Sequence, residues 1–271
     1  MSASAESPFA WEPITPRGVA AFARADLSRL LLVQFIVALL AAATVAWSLN
    51  HDYFPTVTAA IQKLPAAGEI NSGRLNWHGD PAQSLAEGKF LALDVDLQHS
   101  GQIISIADVQ VEFGADSIRF FSILGHTDFF YPPDRFAPFN RADLEPLWGA
   151  WEAEILFIAF ALTALALLVT WWLLATLYFL PVRLLVFYTN RDLDLRACWK
   201  LSGAAVLPGA FLMGASILLY GTGLLDLVAL GLFFAAHFAV GWIYLFVGQL
   251  FLPRIAGAPQ KGNPFGFKHE K

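Results

Sequence analysis

The chain has 271 residues, 57% of them apolar and 14% charged, with a net charge of −5. Soluble domains run about 45–50% apolar and about 25% charged. The balance, with a mean hydropathy of +0.55, points to an integral membrane protein. One cysteine, Cys198, excludes an internal disulfide and any multi-cysteine metal site. Basic patches interleaved with aromatics are absent, which argues against nucleic acid as a partner.

A bilayer core asks for about 20 mostly apolar residues in a helix. After a tail at residues 1–29, the first such run is "LLLVQFIVALLAAATVAWSL", a span over 30–50. Signal peptides have apolar stretches of about 7–15 residues and a small-residue cleavage site. This run is longer and leads into "WSLNHDYF", so it reads as a retained anchor.

Residues 51–150 read as an inserted domain. "DYFPTVTAAIQKLP" is a short helix, with Pro55 in its first turn and Pro65 as its stop. The period then changes to two. In "KFLALDVDL", Leu91, Leu93, Val95 and Leu97 share one face and Asp94 and Asp96 the other. "ADVQVEFG" alternates in the same way, which predicts half-buried antiparallel strands in a small meander. "GEINSGRLNW" and "SIRFFSILG" flank it, the latter entered through the turn at Gly114–Asp116. "FFYPPDRFAPF" must be extended, because three prolines forbid a regular helix. Asn140 can cap a final helix that runs towards the second span.

The remaining elements are a span at 151–180, an amphipathic loop at 181–200, spans at 201–221 and 224–252, and a tail at 253–271. Short cytoplasmic loops retain Lys and Arg. Arg17, Arg24 and Arg29 lie in the first tail, and Arg183, Arg191, Arg196 and Lys200 in the 181–200 loop. Arg254, Lys261, Lys268 and Lys271 lie in the last tail, whereas the turn "GTGLLD" has no base. Both tails and the 181–200 loop are therefore expected in the cytoplasm, and 51–150 outside it. His51 to Glu154 carries six bases and fifteen acids, a net of −9, which agrees. The expected fold is a membrane α-helical protein with four transmembrane helices and an extracytoplasmic α+β domain inserted between the first and second.

The segments "LPAAGEINSGRLNW", "GKFLALDVDL" and "ADVQVEFGADSIRF", with the later "ACWKLSGAAVLPGAFLMG", resemble a bacterial membrane family known as domain of unknown function 1189. The resemblance covers residues from about 25 to 250. It implies the fold and a bacterial inner-membrane location. It brings no catalytic residues with it.

Five features bear on chemistry. His237 sits inside the last span, where ionisable side chains are expensive and often functional. It shares a helix face with Gly241, Tyr244 and Gly248, so it reads first as a packing residue. A hydrogen bond to a neighbouring backbone or to Thr163, Thr170, Ser216 or Gln34 would satisfy it. A proton relay would need further acids at that depth. Pro208, in "PG", predicts a kink, and Ala210 with Gly214 gives a small-residue packing spacing; broken helices also line transporter sites. The pairs His78–Asp80 and His126–Asp128, with His51–Asp52, offer metal ligands, but no HxxxH or HExxH spacing accompanies them. There is no GxSxG and no P-loop, and Cys198 reads as a small interfacial residue, with lipidation as its functional alternative. Arg183, Arg191, Arg196 and Lys200, interleaved with Leu, Phe and Trp, suggest a helix–turn–helix in the headgroup layer that contacts anionic lipid or a cytosolic protein.

These features imply no cofactor. The leading expectation is a non-catalytic sensor, scaffold or assembly protein whose outer domain binds a partner or ligand, a strand edge such as Lys89–Leu97 accepting an added strand. The second expectation is an oligomeric transporter or transport accessory, with His237 and Pro208 on the route. The partners are the bilayer, a protein at the outer domain, and further copies of the chain.

Overall fold

The computed structural model of the protein describes residues 11–255. Residues 1–10 and 256–271 of the two tails, with Lys261, Lys268 and Lys271, lie outside the described residues. Four helical stretches are long and apolar enough to cross a membrane: Leu27–Lys63, Arg141–Tyr188, Leu195–Gly221 and Leu227–Phe251. The chain forms two compact units. One gathers the described residues of Met1–Ala41, Ala164–Ala215 and Gly231–Lys271; the other comprises Ala42–Thr163 and Ser216–Leu230.

In the first unit, α1 (Pro16–Phe22) occupies part of what the sequence left as a plain tail. Thr15 caps it, its hydroxyl accepting from Gly18 N at 3.0 Å, and Pro16 suits a first turn. Val19 and Phe22 are fully buried beside α5 (Leu195–Ala205). Pro208 has no N–H to give Ala204, and the helix breaks at Val206 before resuming as α6 (Leu207–Gly221). Of the apolar window in α5–α6, 61% is buried, against 6% in α4 (Arg141–Tyr188), so α5–α6 is the enclosed element.

α4 departs from expectation. Pro181 suggests an end at 180 and an interfacial hairpin over 181–200, yet α4 continues to Tyr188 as one helix of 48 residues. Val182 and Val186 are buried in the core, and that packing outweighs the hydrogen bond Pro181 cannot make. What remains is a tight connection at 189–194, with Asp194 capping α5 through Ala197 N at 2.6 Å.

α7 (Leu227–Gly248) approaches the backbone on both sides of the break between α5 and α6. A Cβ on Gly209 would stand 2.5 Å from the His237 carbonyl oxygen, and one on Gly241 would stand 3.5 Å from that of Ala205. α2 (Leu27–Ser48) contributes Gln34, which is fully buried. Its amide donates to Gly203 O at 3.0 Å and accepts from Trp172 Nε1 at 3.2 Å. A buried amide without partners would cost about 1–3 kcal/mol.

In the second unit, α2 passes through a π-helical turn, Leu49–Tyr53, straight into α3 (Phe54–Lys63). No side chain caps α3; Pro55 fills the first turn, and the chain leaves helix at Leu64 before Pro65. The π turn aims Asp52 inward, where Ser48 Oγ donates to it at 2.6 Å and His51 Nδ1 at 2.8 Å. α3 packs on a five-stranded sheet of order β3-β4-β5-β6-β7, formed by Ala82–Glu87, Leu91–Asp96, Val109–Phe113, Ser117–Ser122 and Gly125–Phe130. β1 (Glu69–Asn71), β2 (Arg74–Asn76) and β8 (Ala137–Pro138) make a separate small sheet. The expected meander is corrected twice: "GEINSGRLNW", expected to flank it, forms β1 and β2 of the separate sheet, and one pairing inside it is parallel. β4 and β5 are parallel, joined by a crossover over residues 97–108, because side-by-side parallel strands cannot share a tight turn.

Gly209→Val places a branched side chain against the His237 carbonyl. It is expected to cost roughly 1–3 kcal/mol and to lower the thermal midpoint in detergent, whereas Gly231→Ala, which meets open space, leaves it unchanged.

Candidate functional site

The inserted sheet has two unlike faces. On one, Leu85, Val95 and Tyr131 are buried beside Ala60 and Leu64 of α3. On the other, cross-strand register aligns Ser84, Asp94, Glu112, Arg119 and Asp128 in a single row across all five strands. The sequence placed Asp94 and Asp96 in solvent; both are buried, and so is Glu112. The crossover roofs them. His99 Nδ1 donates to Glu112, and its Nε2 meets Ser117 Oγ at 3.1 Å. Gly114 lies under the His99 ring, where a Cβ would collide with it. Ser100 Oγ donates to Asp96 at 2.7 Å, Gln110 Nε2 to Asp94 Oδ2 at 2.9 Å, and Ser105 Oγ to Glu87 at 2.9 Å. Further along the row, Arg119 grips Asp128 through two bonds of 2.6 and 3.0 Å.

These carboxylates differ in affinity for protons. Burial raises Asp94, and the bonds from Ser84 and Gln110 offset only part of that. Burial would also raise Asp96, but Ser100 and the backbone N–H groups of Gln98 and Gly101 outweigh it and hold the carboxyl low. Asp128 is held low by Arg119, and Glu87 by the N–H of Ile106 and by Ser105.

The two sheet edges are also unlike. β3 carries a register shift between Ser84 and Ala86 and is packed by α3, the usual protections of an edge. β7 has neither. All of its residues but Asp128 are exposed, with Phe129 at 58% and Phe130 at 73%. Phe129 stacks edge-on against Phe120, itself 40% exposed, so the apolar face runs on uncovered over β6 and β7. The segment Lys89–Leu97, expected as an available edge, is corrected. Its strand β4 is interior, with β3 and β5 on its two sides. β3 and β7 carry weak patterns, "AQSLAE" and "GHTDFF", that alternation does not flag.

The other expected site residues fall as follows. His237 Nδ1 donates to Phe234 O in its own helix, not to Thr163, Thr170, Ser216 or Gln34. It lines a cavity of about 190 Å³ with Thr170, Tyr178 and Gly241. Tyr244 Oη donates to Ile14 O at 2.5 Å, and Gly248 lies against Val19 and Leu201. Of the basic set, three members tie down backbone carbonyls. Arg183 donates to Leu193 O at 3.0 Å, Lys200 to Ala25 O at 2.6 Å, and Arg191 to Leu252 O. Arg196 is exposed. His78 and Asp80 lie beyond β2, while His126 and Asp128 lie on β7, where Arg119 occupies Asp128 and Phe121 packs on His126. Among the described residues no three His, Cys, Asp or Glu side chains are grouped to hold a metal.

No family model, curated protein or solved structure matches this chain.

The row makes a paired prediction. A carboxyl with a raised folded pKa opposes folding while it is ionised, so Asp94→Asn is expected to raise the thermal midpoint at pH 7. That gain fades as pH falls through the Asp94 value and the native carboxyl protonates. Asp128 is the opposite case, its contribution being present above the ordinary carboxylate pKa of about 3.9 and lost as pH falls through its lowered value. Arg119→Ala is therefore expected to lower the midpoint at pH 7 and to matter less in acid. Melting curves of both variants between neutral and acid pH read the two signs.

Proposed function

We propose that the chain is a non-catalytic protein of the bacterial inner membrane whose inserted domain lies outside the cytoplasm and recruits a protein partner by strand addition along β7. The observation that carries this reading is the asymmetry of the sheet edges: β3 is bulged and packed by a helix, and β7 is bare. A six-residue edge presents unpaired N–H and C=O groups, which give affinity, and alternate side chains, which give specificity. Exposed Phe120 and Phe129 supply the apolar contact beside that edge. The polar row behind it keeps the sheet from sliding, because a one-residue slip would take Arg119 away from Asp128. The placement outside the cytoplasm is supported by the charges, since Arg183, Arg191, Arg196 and Lys200 gather around the junction of α4 and α5 and the inserted segment is acidic.

Two measurements test this. A photo-crosslinking amino acid at Phe129, in intact cells, is expected to give a discrete protein adduct that His126→Pro, which removes an outward-facing N–H of the edge, abolishes. A smear identical with and without the proline would count against strand addition. For topology, a cysteine at Asp134 is expected to react with a membrane-impermeant thiol reagent in intact cells while one at Arg196 does not. The reverse pattern would invert the assignment.

A further inference from the structure

The apolar side of the inserted domain is not completely filled. A cavity of about 190 Å³ is bounded by α3, the sheet and the start of α4, with Val57, Leu85, Leu93 and Phe113 in its wall. A second, of about 350 Å³, runs along α4 past Leu147, Trp148, Trp151 and Ile155. Ile61 and Leu144 belong to both linings, so the two chambers adjoin. Together they reach the size of a small-molecule site, about 300–1,000 Å³.

Three features specify the occupant. The inner chamber has no charged or polar side chain in its wall. In the second chamber the indole N–H of Trp148 is already used, donating to Thr58 Oγ1 at 2.9 Å. The walls are almost wholly apolar, and an unfilled apolar hollow forfeits contacts along the surfaces that line it. The second feature is the direction of the groove. Leu144, Leu147, Trp148, Trp151 and Ile155 recur at helical spacing on one stripe of α4. That stripe begins at the domain core and ends where α4 becomes the apolar run "ILFIAFALTALALL". The third is exposure. Leu147 and Trp151 remain 47% and 52% exposed where the groove opens, and a tryptophan there suits a membrane–water interface. A continuous apolar path from the edge of a candidate span into a protein core fits a flexible, unbranched hydrocarbon.

We propose that this groove takes one alkyl chain, entering beside Trp151 and Ile155 and ending between Ile61, Leu93 and Phe113. The source is a membrane lipid or a free fatty acid, and both present the same hydrocarbon to these walls. The site is separate from the β7 edge, so partner recruitment and chain binding can fail independently.

The test uses the full-length protein in nanodiscs, with a diazirine near the end of the acyl chain of a phospholipid in one arm and of an added free fatty acid in the other. After illumination, adducts are mapped by mass spectrometry. Adducts on Leu93 or Phe113 are expected in at least one arm, and the arm that gives them names the source. Ala60→Leu, which narrows the inner chamber, is expected to reduce those adducts several-fold while adducts on Leu162 in the apolar part of α4 persist. Labelling confined to Trp151, Ile155 and the span in both arms would overturn the proposal. Inner-chamber labelling unaffected by Ala60→Leu would overturn it too, as would the absence of label even at Leu162, which would remove the span along with the groove.

Discussion

Most of the inserted domain follows from one pairing: β4 lies parallel to β5. Parallel neighbours need a crossover of about a dozen residues, and here residues 97–108 supply it without a helix. A helix would cover the sheet with its own apolar stripe. An irregular crossover instead brings backbone N–H groups and short polar side chains. The face it covers therefore has to be polar, and the row from Ser84 to Asp128 is that face. Asp94 and Glu112 stand side by side across the pairing, a like-charge contact that is unfavourable by itself. Donors answer it from both sides: Gln110 at Asp94, His99 at Glu112, and the Ser100 hydroxyl at Asp96 one row away. His99 can reach Glu112 only because its own backbone turns to a positive φ of 48° and because residue 114 is glycine.

That dependence explains what could be read from the residues and what could not. Alternation in "LALDVDL" and "VQVEF" correctly assigns which side chains share a face, since the period is local. It does not say whether the second face meets water, because that is decided by a crossover distant in sequence. Parallel and antiparallel neighbours have the same alternation, so the meander was the simpler reading, and it was wrong at the β4–β5 pairing and in placing "GEINSGRLNW" beside these strands. β3 and β7 escaped notice for another reason. An edge strand half exposed on both faces has little pattern to show, and edges are where the partner reading resides. Among the helices, the four apolar stretches were legible from composition alone. The end of the second was not, because Pro181 signals a stop that burial of Val182 and Val186 overrides.

The basic residues show how one observation can serve two physical ends. Their clustering near helix ends is what charge sorting across a membrane requires. Within the first unit, Arg183, Arg191 and Lys200 also donate to carbonyls left open at Leu193, Leu252 and Ala25. Chain ends and helix termini lack partners for their last carbonyl groups, and long cationic side chains can reach them while burying their own stems. Arg196 is exposed and is left to face solvent or lipid headgroups. An interfacial hairpin was expected from the same residues. The structure replaces it with a short connection whose bases are mostly committed to the protein itself.

α3 links the edge and the groove. It packs on the sheet beside the bulged edge strand β3, whereas β7 on the far side of the sheet stays bare. The same helix supplies Val57, Ala60, Ile61 and Leu64 to the wall of the inner chamber. A helix packed tightly enough to close that space would need larger residues than Ala60 at the contact. Ala60 is 4% exposed, and its small side chain leaves the inner chamber open beside it. At one end the π turn fixes α3 to α2, with Asp52 buried beneath it. Near the other, Arg141 donates to Gln62 O, while Phe54 and Thr58, in the first half of α3, bear on Trp148 of α4. A helix that packs on the sheet through a residue as small as Ala60 keeps a chamber open beside the contact. Filling the chamber with protein side chains would improve packing and abolish the groove.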